Sequence, residues 1–465
     1  MENKDNRDTW SAVDPASSEG RAPRSRLLAG DTRSERQLRW ALAATGVAVL
    51  ACGNADVEPK ARASFGLTSD TPASSSVGPD YAAELAALDP GLRESVPAEE
   101  LRRMVDYLKM RIPADAVADT VESRGDVFDC VDVNEQPSVR QLRAQGVSVD
   151  VDKTPPTVSQ SDPPEDDDPR IGKTTATLEQ PCPERTIPIR RIPLSEVAQC
   201  GTLEAYLAPP GVNYREHVQA QKGITNYGGE ARLNIWNPYV ESYGDFSLTQ
   251  LWVFRGLNTP YLETVEAGSI HRQNQTYARL FIFFTPDNYN SGCWNTDCGF
   301  VQTDGSITLD GTWSNYSSSG GAQYDQKLAL FKGGPNADWW FVVGTTWVGY
   351  WPRSLFDSNG IANNADGIFF GGETWDLKGT YHAATDMGGD GSFPGSGFAH
   401  AAYQRNMRYY TYSGGTVYWW KIGTVSLFAT RSECYSGIKY SSTGTWEDYM
   451  YFGGPGYNYG TGCLY

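Results

Sequence analysis

The chain has 465 residues, a formal net charge of −17 and only 20% charged residues. That acidity, with no basic stripe to offset it, excludes non-specific binding to nucleic acid. The 48 glycines, 14 tryptophans and 26 tyrosines point to an aromatic, turn-rich β protein, and the length suits a targeting region, a modest first module and one larger one.

Residues 1–39 are polar and charged. Behind Arg33, Arg36 and Arg39, Trp40 to Ala51 form a short apolar run that ends at Cys52-Gly53, the layout of a secretory signal. Val49-Leu50-Ala51-Cys52 is similar to a bacterial lipobox, which makes Cys52 the lipidation candidate of a leader spanning 1–52. One acylated cysteine tethers a protein without spanning the bilayer. The expected location is the bacterial cell envelope or the outside of the cell, with the membrane reached only through that anchor. Residues 53–80, rich in Ser, Ala, Pro and Thr, read as a flexible tether.

The next unit covers 81–210 and reads as a small α+β accessory module. Pro97 opens a helix in which Leu101, Met104, Val105 and Leu108 recur at helical spacing, with Glu99 and Glu100 in its first turn. The alternating residues of 125–137 predict a strand. An acidic, proline-rich stretch near 153–169 reads as a disordered insertion. Cys182 to Arg191 is extended, and Ala208-Pro-Pro-Gly211 marks a boundary.

From 215 to 465 the pattern changes to short β segments punctuated by Gly, Asn, Asp and Ser. The best strands are Ala231–Trp236, Phe246–Phe254, Ala278–Phe284, Trp339–Val343, Trp347–Trp351, Ile368–Phe370, Met407–Tyr412, Val417–Lys421 and Met450–Phe452. Many short strands without helices predict an all-β fold, here an antiparallel β-sandwich large enough for a sizeable core. Among the eight cysteines, Cys293 and Cys298 flank a tight loop, and Cys434 and Cys463 can tie a late strand to the C-terminus. Outside the cytosol such cysteines favour disulfides. The pairing of Cys130, Cys182 and Cys200 stays open. The four histidines (His217, His271, His382, His400) are scattered and give no pair at metal spacing, so neither metal nor cofactor is expected.

Two glutamates carry the functional reading. Glu373 closes the apolar run Ile368-Phe-Phe-Gly-Gly-Glu373 beside Trp375, and Glu266 lies in Thr264-Val-Glu-Ala-Gly268. If two carboxylates share an apolar cleft, both cannot ionise cheaply, and one keeps its proton, as acid–base hydrolysis needs. On the residues alone, a glutamate at a strand end is more often solvated or hydrogen-bonded than catalytic.

The large module resembles the neprosin family of glutamic peptidases over nearly its whole length. The residues that carry the resemblance are Asn234-Ile-Trp-Asn-Pro238, Phe246-Ser-Leu-Thr-Gln-Leu-Trp252, Thr264-Val-Glu-Ala-Gly268 and Arg279-Leu-Phe-Ile282. Further on come Gly299-Phe-Val-Gln302, Gly320-Gly-Ala-Gln-Tyr324, Gly349-Tyr-Trp-Pro352, Gly371-Gly-Glu373 and Gly453-Gly-Pro-Gly456. Phe128-Asp-Cys-Val-Asp132 and Cys182 to Arg191 are similar to the family's activation peptide.

The resemblance implies a β-sandwich with Glu266 and Glu373 as the catalytic pair. It also implies a secreted, acid-active endopeptidase that prefers to cut after proline. Two departures bear on that preference: Ser269 stands where the family commonly has Trp, and Thr385-Asp-Met-Gly-Gly389 where Thr-Gln-Met-Gly-Ser is common. Gln323 is the candidate oxyanion donor, and Trp351 and Trp375 are candidates for a proline-accepting wall. The expected partner is a polypeptide, proline-rich for preference, and the protein is expected to be a monomer. The N-terminal unit is expected to block the cleft until a cut near Pro209-Pro210 removes it. Rival readings are a glycoside hydrolase using the same glutamates and a non-catalytic carbohydrate-binding surface lipoprotein. No Gly-x-Ser-x-Gly elbow supports a serine hydrolase.

Overall fold

The computed structural model describes residues 79–157, 167–207, 215–376, 384–457 and 463. The expected signal and lipobox with Cys52, nearly all of the tether, and the Pro209-Pro210 boundary lie outside them.

The first module begins with helices α1 (Tyr81–Ala87), α2 (Pro90–Ser95) and α3 (Ala98–Arg111). In α3 the expected face, Leu101, Met104, Val105 and Leu108, is buried. Glu99 and Glu100 at its start and Lys109 and Arg111 at its end complement the helix dipole. Strands β1 (Val117–Ser123) and β2 (Asp126–Asp132) form a hairpin. The expected strand over 125–137 stops at Asp132, because Pro137 opens helix α4 (Pro137–Ala144), which buries Val139 and Leu142. After β3 (Ile171–Lys173), strand β4 (Thr186–Arg190) pairs with β2 to complete a three-stranded sheet. Short helices α5 (Leu194–Ala198) and α6 (Leu203–Leu207) finish the module, and a disulfide joins Cys130 to Cys182. The expected disordered insertion is corrected at its flanks, where Lys153 pairs with Asp338, and Asp168 accepts a hydrogen bond from Trp446 Nε1 at 2.7 Å.

The large module is a two-sheet sandwich. Strands β5 (Arg215–Asn226) and β6 (Gly228–Asn234) are joined through Tyr227 yet belong to different sheets. A meander follows: β7 (Phe246–Arg255), β8 (Glu263–Arg272), β9 (Arg279–Thr285) and β10 (Cys293–Trp294). The chain then crosses to the second sheet for β11 (Val301–Gln302), β12 (Gln323–Lys332), β13 (Trp339–Val343) and β14 (Thr346–Trp351). Strand β15 (Ala365–Trp375) returns to the first sheet and inserts between β7 and β5. The last strands are β16 (Ala402–Ser413), β17 (Thr416–Lys421), β18 (Ser426–Ala429), β19 (Ser436–Ser441) and β20 (Asp448–Gly453).

The seven-stranded sheet runs β10-β9-β8-β7-β15-β5-β18. The ten-stranded sheet runs β11-β14-β13-β12-β6-β16-β20-β19, with β17 on β16 and β3 of the first module beside β12. Apart from that parallel β3–β12 contact, the strand pairs among the described residues are antiparallel. Alternation along each strand sends one set of side chains inward. Val218, Leu251, Val253, Val265, Ile282, Ile368 and Phe370 from the first sheet meet Leu233, Leu328, Leu330, Phe341 and Trp351 from the second.

The opposite face of the seven-stranded sheet is also buried, and it is aromatic: Phe246, Leu248, Trp252, Phe254, Phe281, Phe283, Phe369 and Trp375. The Cys293–Cys298 and Cys434–Cys463 disulfides form as expected.

Candidate active site

The ladder register puts both glutamates on that aromatic face. Glu266 of β8 is opposite Trp252 of β7, which is opposite Phe369 of β15, and Glu373 is four residues further along β15. An even separation along a strand keeps the same face. Neither glutamate ends its strand, as the sequence suggested; both sit inside one, and both are 0% exposed.

Between them the floor is built from glycine. Gly268, Gln250 and Gly371 are mutual ladder partners on β8, β7 and β15. A Cβ at Gly268 would come within 2.1 Å of Thr249 O, and one at Gly371, where φ is 149°, within 1.9 Å of Val218 O. Only glycine fits at either place. The consequence is a low floor on which Gln250 alone projects between the two acids. From the other sheet, wholly buried Gln404 fixes that floor, its Nε2 donating to Gln250 O at 3.0 Å and Gly371 O at 2.9 Å.

The surroundings of the two acids differ in kind. Glu266 accepts from Tyr289 OH at 2.7 Å and Thr264 Oγ1 at 2.8 Å on one oxygen, and from Gln250 Nε2 at 3.2 Å on the other. Its contacts are neutral. Burial pushes its pKa up to about 7, the hydrogen bonds from Tyr289 and Thr264 pull it back, and the charge on Glu373 raises it again. Glu373 has cations instead. Arg215 Nη1 donates to its Oε1 at 2.5 Å, and His217 Nε2 lies 3.5 Å from its Oε2. Burial would raise this carboxyl, but the positive charges of His217 and Arg215 outweigh burial and hold it below the ordinary carboxylate value.

Gln250 Oε1 and Trp375 Nε1 are buried on this face without a protein hydrogen bond, and Glu373 Oε2 and His217 Nε2 have only each other, at 3.5 Å. Buried polar atoms in a folded protein nearly always find partners, so a group of such atoms beside paired carboxyls marks a place built for something polar.

The sequence-based candidates divide. Trp375 is on the glutamate face, two residues from Glu373, with its ring 5.7 Å from Phe246 and the Arg215 guanidinium 5.4 Å from its centroid. Trp351 is not a cleft wall: it fills the core between the sheets against Phe300 and Phe284. Gln323 is not an oxyanion donor here. It begins β12 in the other sheet, and its amide nitrogen is engaged by Ser318 O at 2.8 Å, Ala322 O at 3.1 Å and Gly321 O at 3.2 Å.

Ser269 points to the core side of β8, where its Oγ accepts from Trp313 Nε1 at 2.9 Å, so this departure does not touch the glutamate face. Sequence reasoning missed Arg215, His217 and Tyr289, and it passed over Gln250 although that residue sits in a quoted motif. Among the described residues no group of three or more His, Cys, Asp or Glu is placed to hold a metal.

The fold and site together define a β-sandwich whose smaller sheet carries a buried, unequally charged pair of glutamates on its outer face. The family model described as Neprosin matches residues 243–455, and that part of the chain is a neprosin domain. Among solved structures, a Scytalido-glutamic peptidase with a peptide-based transition state analog is 9% identical. The match covers 52% of this chain and 98% of that one at a TM-score of 0.26. A second Scytalido-glutamic peptidase structure, with a transition state analog inhibitor, is 8% identical over 52% and 98% at 0.25.

Proposed function

We propose that the protein is a glutamic-type endopeptidase in which Glu373 is the general base and Glu266 the general acid. The observation that carries this reading is the opposite electrostatic setting of the two carboxyls, one with cations and one with neutral donors. Ionised Glu373 takes a proton from a water whose oxygen adds to the peptide carbonyl carbon. Protonated Glu266 hydrogen-bonds the carbonyl oxygen as negative charge develops there. The carbon–nitrogen bond then breaks as the leaving nitrogen takes from Glu373 the proton that came from the water, the carbonyl re-forms, and Glu266 keeps its own proton. Both states coexist only between the depressed pKa of Glu373 and about 7 for Glu266, which is an acidic window.

The form described is latent in this reading: both carboxyls are inaccessible, and Arg215 occupies an oxygen of the base. We read the chain as an exported or lipid-anchored zymogen that matures by a cut near Pro209-Pro210 and prefers proline before the scissile bond. Trp375 and Phe246 are the rings that would receive such a proline.

The test is to replace Glu266→Gln and Glu373→Gln separately and assay an unstructured proline-rich protein at acid pH. Loss of peptide release by about 10³-fold or more in each is expected for groups that move protons in the reaction. Full activity in either variant removes that residue from the mechanism, and reducing sugar released from a polysaccharide in place of peptides would favour the glycosidase reading.

A further inference from the structure

We propose that the N-terminal module is a permanent part of the working protein: after the connection before Arg215 is cut, the two pieces stay bound as a two-chain molecule. The inference rests on the packing between the modules, not on the acid–base chemistry above, and it departs from the expectation that the module is shed.

A segment that is to be discarded should leave behind a surface that water can satisfy. This module would leave an opened core. Strand β3 runs beside β12 with Ile171, Gly172 and Lys173 opposite Gln323, Tyr324 and Asp325. Gly172 fits closely against the Tyr324 ring, where a Cβ would come within 2.6 Å of a ring carbon. Three residues after β3, Ala176 is wholly buried among the side chains that fill the sandwich. The backbone follows the same course: Thr308 N donates to Ala176 O at 2.8 Å, and Ser314 N to Thr175 O at 2.9 Å. This stretch belongs to the sandwich as much as any of its own strands.

The rest of the interface is equally closed. Gln136 and Gln302, both wholly buried, bond reciprocally. Gln136 Nε2 donates to Gln302 O at 2.7 Å, and Gln302 N donates to Gln136 Oε1 at 3.0 Å. Departure of the module would strand a backbone N–H and C=O at the β11 edge. Val131, Val139, Leu142, Ile187 and Ile189 share one apolar cluster with Phe331, Trp340, Tyr350 and Tyr410 on the outer face of the ten-stranded sheet. Uncovered, those rings would form the kind of broad apolar patch that soluble proteins do not leave bare.

Three ion pairs cross the boundary with little exposure: Arg190 to Asp310 at 2.5 Å, Arg279 to Asp126 at 2.7 Å and Arg111 to Asp297 at 2.8 Å. Separation would leave Arg279, itself 5% exposed, without Asp126. The Cys130–Cys182 bond meanwhile holds β2 to the segment leading into β4, so the module stays one piece.

The experiment replaces residues 208–214 with a flexible segment carrying a site-specific protease sequence, cuts it to completion, and runs size exclusion at pH 7 and pH 4. The expected result is a single peak at the size of the uncut chain that resolves into two bands only under denaturing conditions. Elution of either piece without the other at either pH, whether folded or aggregated, overturns the proposal. The readout is association alone, so it succeeds or fails separately from the peptidase assay.

Discussion

Arg215 of β5 reaches diagonally to Glu373 of β15, two residues from its own ladder partner Trp375, and the two side chains meet at 2.5 Å almost wholly buried. Arg215 also lies over the rings of Phe246 and Trp375, so its position is held on three sides. The cation keeps the proposed base ionised where burial alone would protonate it. Arg215→Met is therefore expected to move the acid limb of the kcat/KM profile upward. His217 would retain part of the depression, so the double change with His217→Phe should move the limb further. An acid limb that stays in place in the single variant would show that Arg215 does not set the base.

Gln250 is the one side chain that rises from the glycine floor between the acids, and its amide nitrogen holds Glu266. Replacement by leucine keeps the volume and removes the donor. We expect kcat to fall by about 10²-fold, the usual scale for one preorganised donor, with KM little changed. A rise in KM at constant kcat would make Gln250 a substrate contact instead.

The hydrophobic pattern made much of the fold legible. Trp339–Val343 is a strand whose side chains are apolar on both faces, and Phe246–Phe254 is one whose aromatic residues alternate with smaller or polar ones, and both emerge where that content puts them. Strand β5 was invisible for the converse reason. It opens with Arg215, Glu216 and His217 in succession, and Gln219 and Gln221 then alternate with Val218 and Ala220, a pattern that normally marks a solvated face, yet here Arg215, His217, Gln219 and Gln221 face the site. The glutamates were legible through the motifs around them. Their unequal charge was not, because it depends on Arg215 and Tyr289, far from both in sequence and brought close only by ladder register and the loop after β9. Gln323 and Trp351 misled because a motif quoted from one sheet says nothing about which sheet, or which face, carries the chemistry.

Gly371 and Gly268 offer a test of the floor that does not depend on catalysis. At Gly371 an added methyl meets Val218 O at 1.9 Å, and the backbone φ of 149° disfavours any L side chain. Neighbouring backbone cannot yield by that amount without breaking the β15–β5 pairing. Gly371→Ala should cost at least about 3 kcal/mol in urea unfolding, at the upper end for a single substitution. Gly395→Ala, where nothing lies within 4 Å, is the matched control and should be near neutral. Equal stability of the two variants would contradict the close approach of the strands.

The carboxyls also set how stability varies with pH. Glu216, Glu266 and Asp386 all have pKa values pushed up to about 7, first by burial in each case. In the unfolded chain such groups titrate near 4. Between those values the folded protein holds protons that the unfolded chain has released, so the linkage slope is negative and stability falls as pH rises from about 4.5 to 7. Carboxyls held low by cations, Glu373, Asp310 and Glu196 among them, act in the opposite sense, but only below the ordinary carboxylate range. The melting temperature of the full-length protein should therefore be higher at pH 5 than at pH 7.5. Glu266→Gln, which cannot ionise, should flatten part of that decline. His271, held low by burial, and Lys332, pushed down to about 7, act in the opposite sense. The deciding readout is therefore the difference between the two profiles: identical pH dependence of the parent and Glu266→Gln would remove the neutral acid on which the proposed chemistry depends.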